Sequence, residues 1–343
     1  MTMYTGEDSL LKGKISPKLA YSLMEYQEIF HAWFPETFNN ISIHYDHIEP
    51  LPHYKEEKAI CTSFSGGVDS FYTLWSHLPI NQPIPQAQIT HGIIVHGLDA
   101  RLDRRKKILA AYAMYSKMFE ELGLELIQAS TNAYQFAQFR IAWTQFFAAP
   151  TLGIPLALSP WLQRFYIPSG STAYSRLNPN SSSPVCDHLL STDTTEIINH
   201  GTPVTRFEKI SVLKDWSMTH HKLRVCSNKH QQSGVINCSS CNKCYRTMSS
   251  LDLLKAMPLY KNFSRKMNIL DYIKWGAFSP MSIVYAKRLR KRSAKMGRLD
   301  ITISFQIVII LQSTRKLFIK FIKKMISREL LYKIKRRIYH PEL

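Results

Sequence analysis

Ala59-Ile60-Cys61-Thr62-Ser63-Phe64-Ser65-Gly66-Gly67-Val68-Asp69-Ser70 runs from an apolar stretch into a double glycine bracketed by hydroxyls. The first six residues read as a buried strand. Phe71, Leu74, Trp75 and Leu78 at three-to-four spacing then predict a helix over 68–78. Two adjacent glycines let the backbone turn sharply and let a ligand approach the amides with no Cβ in the way. The positive end of the helix adds to the same anion site, and Ser65 and Ser70 can donate hydroxyl hydrogen bonds to phosphate oxygens. Asp69 is the odd member, because a carboxylate beside phosphates repels them unless it binds Mg²⁺ or caps the helix. The loop lacks the spacing and the lysine of a Walker A loop and is not the dinucleotide fingerprint.

Outward from this loop the chain alternates. Strands are predicted at 59–64, Ile89–Val95 and Glu125–Ala129, with helices at 68–78 and Leu102–Leu122 between them. That order implies an α/β fold with a doubly wound parallel sheet and ligands at the strand C-termini. His96-Gly97-Leu98-Asp99 ends the second strand and points to Asp99 as a nucleotide-side residue. Phe165-Tyr166-Ile167-Pro168 runs into Ser169-Gly170-Ser171-Thr172, which places Gly170 in a second wall of the pocket. Residues 10–34 read as helical and 41–45 as a strand, so 1–58 are expected to form an accessory module. Residues 177–188, rich in Asn, Ser and Pro, form a long loop of the kind that often closes over or binds ligands.

The chain has 343 residues, 45% of them apolar, which excludes disorder throughout. Its net charge of +19 is uneven: 17 basic residues against Asp300, Glu329 and Glu342 lie in 286–343, leaving the body nearly balanced. The first residues have neither the basic start nor the apolar run of a secretory signal, so a cytoplasmic location is expected. Four of the six cysteines, Cys226, Cys238, Cys241 and Cys244, fall in one window with two two-residue spacings. Four thiolates suit tetrahedral Zn²⁺ in a closed, structural site; an iron–sulfur cluster is the alternative. His220, His221 and His230 lie nearby and are read as surface residues. Cys61 reads as a small buried hydrophobe, and Cys186 beside His188 is weak evidence for a nucleophile.

The Ser65–Ser70 loop resembles the SGGxDS loop of the PP-loop ATP pyrophosphatases. With the four cysteines followed by Tyr245-Arg246, and with Gly201-Thr202-Pro203-Val204-Thr205-Arg206-Phe207-Glu208-Lys209 between, the region 59–257 is similar to 7-cyano-7-deazaguanine synthase and its relatives. The resemblance implies the adenine nucleotide α-hydrolase-like (HUP) fold over 59–260. It also implies ATP and Mg²⁺ at Ser65, Gly66, Gly67, Asp69 and Ser70, and Zn²⁺ on the four cysteines. Adenylation of a small carboxylate would release pyrophosphate, with ammonia or another nucleophile attacking next. Lys209 would stabilise the leaving pyrophosphate, while Arg206 and Arg246 would grip an anionic substrate or phosphate. A transfer-RNA-modifying enzyme and a non-catalytic nucleotide-binding adaptor at membranes are the other classes the residues allow.

The C-terminal extension, 261–343, does not belong to that resemblance. An eleven-residue apolar stretch, 301–311, is about half a bilayer span. After it Phe318, Phe321, Ile322, Met325, Ile326, Leu330 and Ile334 fall at helical spacing among lysines, an amphipathic basic helix. Such a tail fits an anionic membrane at its inner face, RNA, or a plain solvated helix; the chain's oligomeric state is open.

Overall fold

The computed structural model describes residues 1–52, 58–98, 102–137, 140–170, 174, 177–226, 236–278 and 283–325. They fall into two compact units, Met1–Asn237 with Leu259–Asn262, and Cys238–Pro258 with Phe263–Leu343.

The first unit opens with strand β1 (Ser9–Ile15), helix α1 (Pro17–Trp33) and strand β2 (Ile43–Ile48), with β1 and β2 paired in parallel. The expected helix over 10–34 therefore starts only at Pro17. Gly13, at φ +88°, interrupts any helix there, and Ser16 caps α1 by accepting from the Leu19 amide at 3.3 Å. Leu19, Leu23 and Tyr26 of α1 pack against the core of the main sheet, so α1 shares that core.

The main sheet comprises β3 (Ala59–Ser63), β4 (His91–His96), β5 (Glu125–Ser130), β6 (Leu162–Pro168) and β7 (Glu196–His200). Its order is β5-β4-β3-β6-β7 and every pairing is parallel. The chain winds outward from β3 through β4 to β5, then returns to the other side of β3 for β6 and β7. The reversal falls between β3 and β6, where open α/β sheets leave a crevice at the strand C-termini. Helix α2 (Val68–Ser76) follows β3, and α3 (Arg105–Glu121) joins β4 to β5. On one face Phe64 meets Phe71, Tyr115 and Phe119 edge-on, with ring centroids 5.0–5.1 Å apart. On the other, Cys61, Ile93, Phe165, Ile167 and Ile197 pack against Ala148 and Leu152 of α4 (Ala148–Ala157). Helix α5 (Arg206–Leu213) follows β7.

The second unit is helical: α6 (Asn242–Leu253), α7 (Ile269–Phe278), α8 (Ile283–Lys295) and α9 (Leu299–Met325). Its core gathers Tyr272, Trp275, Ala286, Leu289, Ile301, Phe305 and Val308, all nearly solvent-free. Val308 packs so closely on Gly276 that a Cβ there would lie 2.5 Å from a valine methyl.

Candidate functional site

β3 ends at Ser63, and Ser65-Gly66-Gly67 turn the chain into α2 with Gly67 as its N-cap. Gly66 sits at φ +75°, and a Cβ on it would lie 1.8 Å from the Tyr115 hydroxyl, so this position takes no other residue without rearrangement. The Gly67 amide donates to Ser65 Oγ at 3.3 Å, and Ser65 and Ser70 hydroxyls lie 3.4 Å apart. Ser65, Gly66, Gly67, Asp69 and Ser70 are thus brought into one turn at the sheet's C-terminal edge, beside the reversal of strand order.

Asp69, in the first turn of α2, is held by two cations from α5. The sequence Thr205-Arg206-Phe207-Glu208 starts that helix with a capping box: the Glu208 carboxylate accepts from the Thr205 amide at 2.6 Å and the Thr205 hydroxyl from the Glu208 amide at 3.4 Å. With the helix start fixed, Arg206 and Lys209, three residues apart, share a face. Arg206 Nη1 donates to Asp69 Oδ2, and Lys209 Nζ lies 3.1 Å from Asp69 Oδ1 and 2.7 Å from the Ser169 carbonyl. Lys209 is only 2% exposed, and this burial lowers its pKa against the opposing pull of Asp69. Asp69 therefore neutralises one of two cations rather than standing as a bare charge beside the loop.

A cavity of about 300 Å³ opens at this edge, within the size range of small-ligand sites. Its polar side includes Ser65, Gly67, Asp69, Ser70, Gly170 and Arg224; its apolar side includes Ile93, Val95, Trp143 and Phe147. Arg224 anchors the loop from outside it: its amide donates to the Gly66 carbonyl at 2.7 Å and Nη2 to the Ser65 carbonyl at 3.1 Å. The buried Nε atoms of Arg224 and Arg206 have no hydrogen-bond partner among the described residues. Two guanidiniums with spare donors beside a glycine turn leave a surplus of positive charge that suits an anion.

Behind Lys209 lies a pair of histidines. The His200 ring is 4.3 Å from the His77 ring, and its Nδ1 is 3.0 Å from the Thr73 hydroxyl; His77 donates from Nδ1 to the Thr73 carbonyl at 2.8 Å. Burial, then His77 and Lys209, drive the His200 pKa down to about 3, and burial also lowers that of His77. Both are neutral near pH 7.

Sequence reasoning missed Arg224, Trp143, Phe147 and the histidine pair. Asp99, and Ser171 and Thr172 of the second turn, lie outside the described residues, while Gly170 lines the cavity. Arg246 lies on α6 in the second unit, two residues beyond Cys244, whereas the loop belongs to the first unit. Cys61 and Cys186 are fully buried, and burial pushes both thiols up, which makes them poor nucleophiles.

The sulfurs of Cys226, Cys238, Cys241 and Cys244 all lie within 4.8 Å of one another, with Cys238 and Cys244 at 3.9 Å. Zinc–sulfur bonds of about 2.3 Å in a tetrahedron put sulfurs roughly 3.8 Å apart, so the four thiols fit one metal ion. Ser239 adopts φ +55° between the first two of the clustered ligands, and its hydroxyl accepts from the Ser264 amide at 2.8 Å, fixing that turn. His220 turns instead to the Lys214 carbonyl at 2.8 Å, His221 is exposed, and His230 lies outside the described residues. No protein-family model, curated protein or solved structure matches the chain.

Proposed function

We propose that the chain binds ATP at the C-terminal edge of its parallel sheet and uses it to activate a small carboxylate. A carboxylate oxygen attacks the α-phosphorus, the bond to the β-phosphate oxygen breaks, and pyrophosphate leaves. Ammonia or another nucleophile then attacks the acyl carbon and AMP leaves with the electron pair. The observation that carries this reading is the Ser65–Ser70 turn lying beside a cavity with Arg224 in its polar lining and Trp143 and Phe147 in its apolar one. Phosphates suit the loop amides, Ser65, Ser70 and Arg224, and the purine suits the apolar wall. The strand order supports the adenine nucleotide α-hydrolase-like variant of the doubly wound fold.

Lys209 and Arg206 would stabilise charge developing on the leaving pyrophosphate, and Asp69 would hold Mg²⁺ in competition with them. Mg²⁺ there supplies charge neutralisation on the phosphates. Zn²⁺ on the four cysteines would be structural, since four thiolates leave no open position. Arg246 is assigned an anion-binding role on the Cys244-Tyr245-Arg246 motif alone. Incubation with ATP, Mg²⁺, ammonia and a panel of small carboxylic acids tests the reading. AMP and pyrophosphate that depend on one acid are the expected products, and Lys209→Met should abolish them. ADP with free phosphate, or no acid-dependent turnover across the panel, would overturn it.

A further inference from the structure

Helix α9 has two unlike faces. Ile301, Phe305 and Val308 are fully buried against α7 and α8, with the Phe305 ring 5.8 Å from Tyr272 and 6.1 Å from Trp275. On the other side Leu299, Ile303, Ile307, Ile310 and Leu311 stand in solvent, Leu299 at 69% and Ile303 at 60% exposure. At 3.6 residues per turn these five side chains fall within an arc of about 120°. They form an aliphatic stripe three turns long, well beyond the scattered apolar residues of an ordinary surface.

A cation stands at one edge of the stripe, and others are exposed on the neighbouring helix. Arg290 of α8 donates to Gln306 at 2.7 Å, and Ser293 of α8 meets Thr302 at 2.9 Å, so α8 runs along one edge of the stripe. Lys287, Lys291 and Lys295, at four-residue spacing on α8, are exposed. Asp300, the sole acid in the α9 sequence, is engaged by Arg298 at 2.8 Å. Beyond the stripe the helix sequence brings Lys316, Lys320, Lys323 and Lys324, and residues 286–343 carry a net +14.

We infer that α9 lies flat in the headgroup layer of an anionic bilayer, with the aliphatic stripe immersed and the exposed basic residues of α8 at the lipid phosphates. No helix among the described residues is long and apolar enough to cross a membrane, so the mode is interfacial. A nucleic acid would use the lysines and gain nothing from five exposed aliphatic side chains. A second copy of this surface would bring two strongly basic patches together. Only an anionic lipid surface takes both the charge and the stripe.

The test is sedimentation of the full chain with phosphatidylcholine vesicles with and without phosphatidylserine, at physiological salt. Binding is expected only with phosphatidylserine. I303E/I307E should weaken it roughly tenfold or more, and K287E/K291E/K295E by a similar factor, while I303L/I307L binds as the parent does. Should the glutamate pair disturb folding, as read by circular dichroism, I303S/I307S carries the same expectation. No partition to the phosphatidylserine vesicles would overturn the inference, as would unchanged partition of a folded I303E/I307E or I303S/I307S chain. Binding of transfer RNA without vesicle binding, or a dimer that I303E/I307E splits without vesicle binding, would overturn it equally. None of these readings depends on ATP turnover.

Discussion

At the scale of single residues the site is governed by what surrounds Asp69. Its carboxylate holds Lys209, whose side chain is 3% exposed, and Arg206, whose side chain is 16% exposed. Removing it leaves two cations in a poorly solvated place, and breaking such a buried pair costs about 3–5 kcal/mol. Asp69→Ala is therefore expected to lose that much in urea unfolding, with Asp69→Ala/Lys209→Met recovering part of it because one of the stranded charges is gone. A double variant no more stable than Asp69→Ala would show that the pair is not what the loss measures. His200 makes a second expectation. Its pKa is about 3 in the fold against 6.5 in the unfolded chain, so the unfolded chain binds more protons between those values. Stability then falls as the pH drops from 6.5 toward 3, by up to about 4 kcal/mol for this group. His77 acts in the same sense; Asp187, pushed up to about 6 by burial, acts in the opposite one and gains as the pH falls through that value. His200→Gln keeps a partner for Thr73 but no titration. Its melting temperature should fall less than the parent's between about pH 7 and about pH 4.5, and parallel losses would remove His200 from the acid response.

At the scale of elements, what could be read in the sequence was what is local. Strands β3 and β4 have apolar centres because parallel strands inside a sheet are buried on both faces, and the glycine turn and the Thr205–Glu208 cap carry their own instructions. Helix α4 escaped notice because Pro150, Gly153 and Pro155 interrupt its sequence, and β7 because Glu196-Ile197-Ile198-Asn199-His200 is short and polar at both ends. Strand β1 reads in sequence as the start of a helix, since only its pairing with β2 decides the matter. Arg224, Trp143 and Phe147 reach the cavity through tertiary folding from distant segments, and no spacing announces them. The cysteine turn is the opposite case: Cys238-Ser239-Ser240-Cys241 leads directly into α6, with Cys241 as its N-cap. Structural zinc contributes on the order of 10 kcal/mol in small zinc peptides, so the start of α6 is expected to depend on metal. Cys241→Ser should lose the metal by elemental analysis and lower the melting temperature. A variant with unchanged metal content and unchanged melting would remove the metal assignment.

At the scale of the whole molecule the basic C-terminal region looks, in sequence, like a detachable tail, yet much of it is core. Phe263 onward joins Cys238–Pro258 in one compact unit, where Ile301, Phe305 and Val308 of α9 close over Tyr272 and Trp275. Arg298 ties the helix start to Asp252 of α6 at 2.9 Å, and Tyr272 donates to the same carboxylate at 2.6 Å. The exposed aliphatic stripe and the buried face thus belong to one helix, and the first cannot be cut away without the second. Trp275 reports on this directly, because the other five tryptophans all precede residue 217 and it alone lies in the second unit. Its indole is 3% exposed and donates to Asn242 Oδ1 at 2.7 Å. A chain ending at Arg298 should expose Trp275, seen as a red-shifted emission against a Trp275→Phe reference, whereas one ending at Met325 keeps every side chain of this core. Phe305→Ala in the full chain should cost about 3–5 kcal/mol by the same probe. An unshifted Trp275 in the chain ending at Arg298 would mean that α9 is an appendage after all.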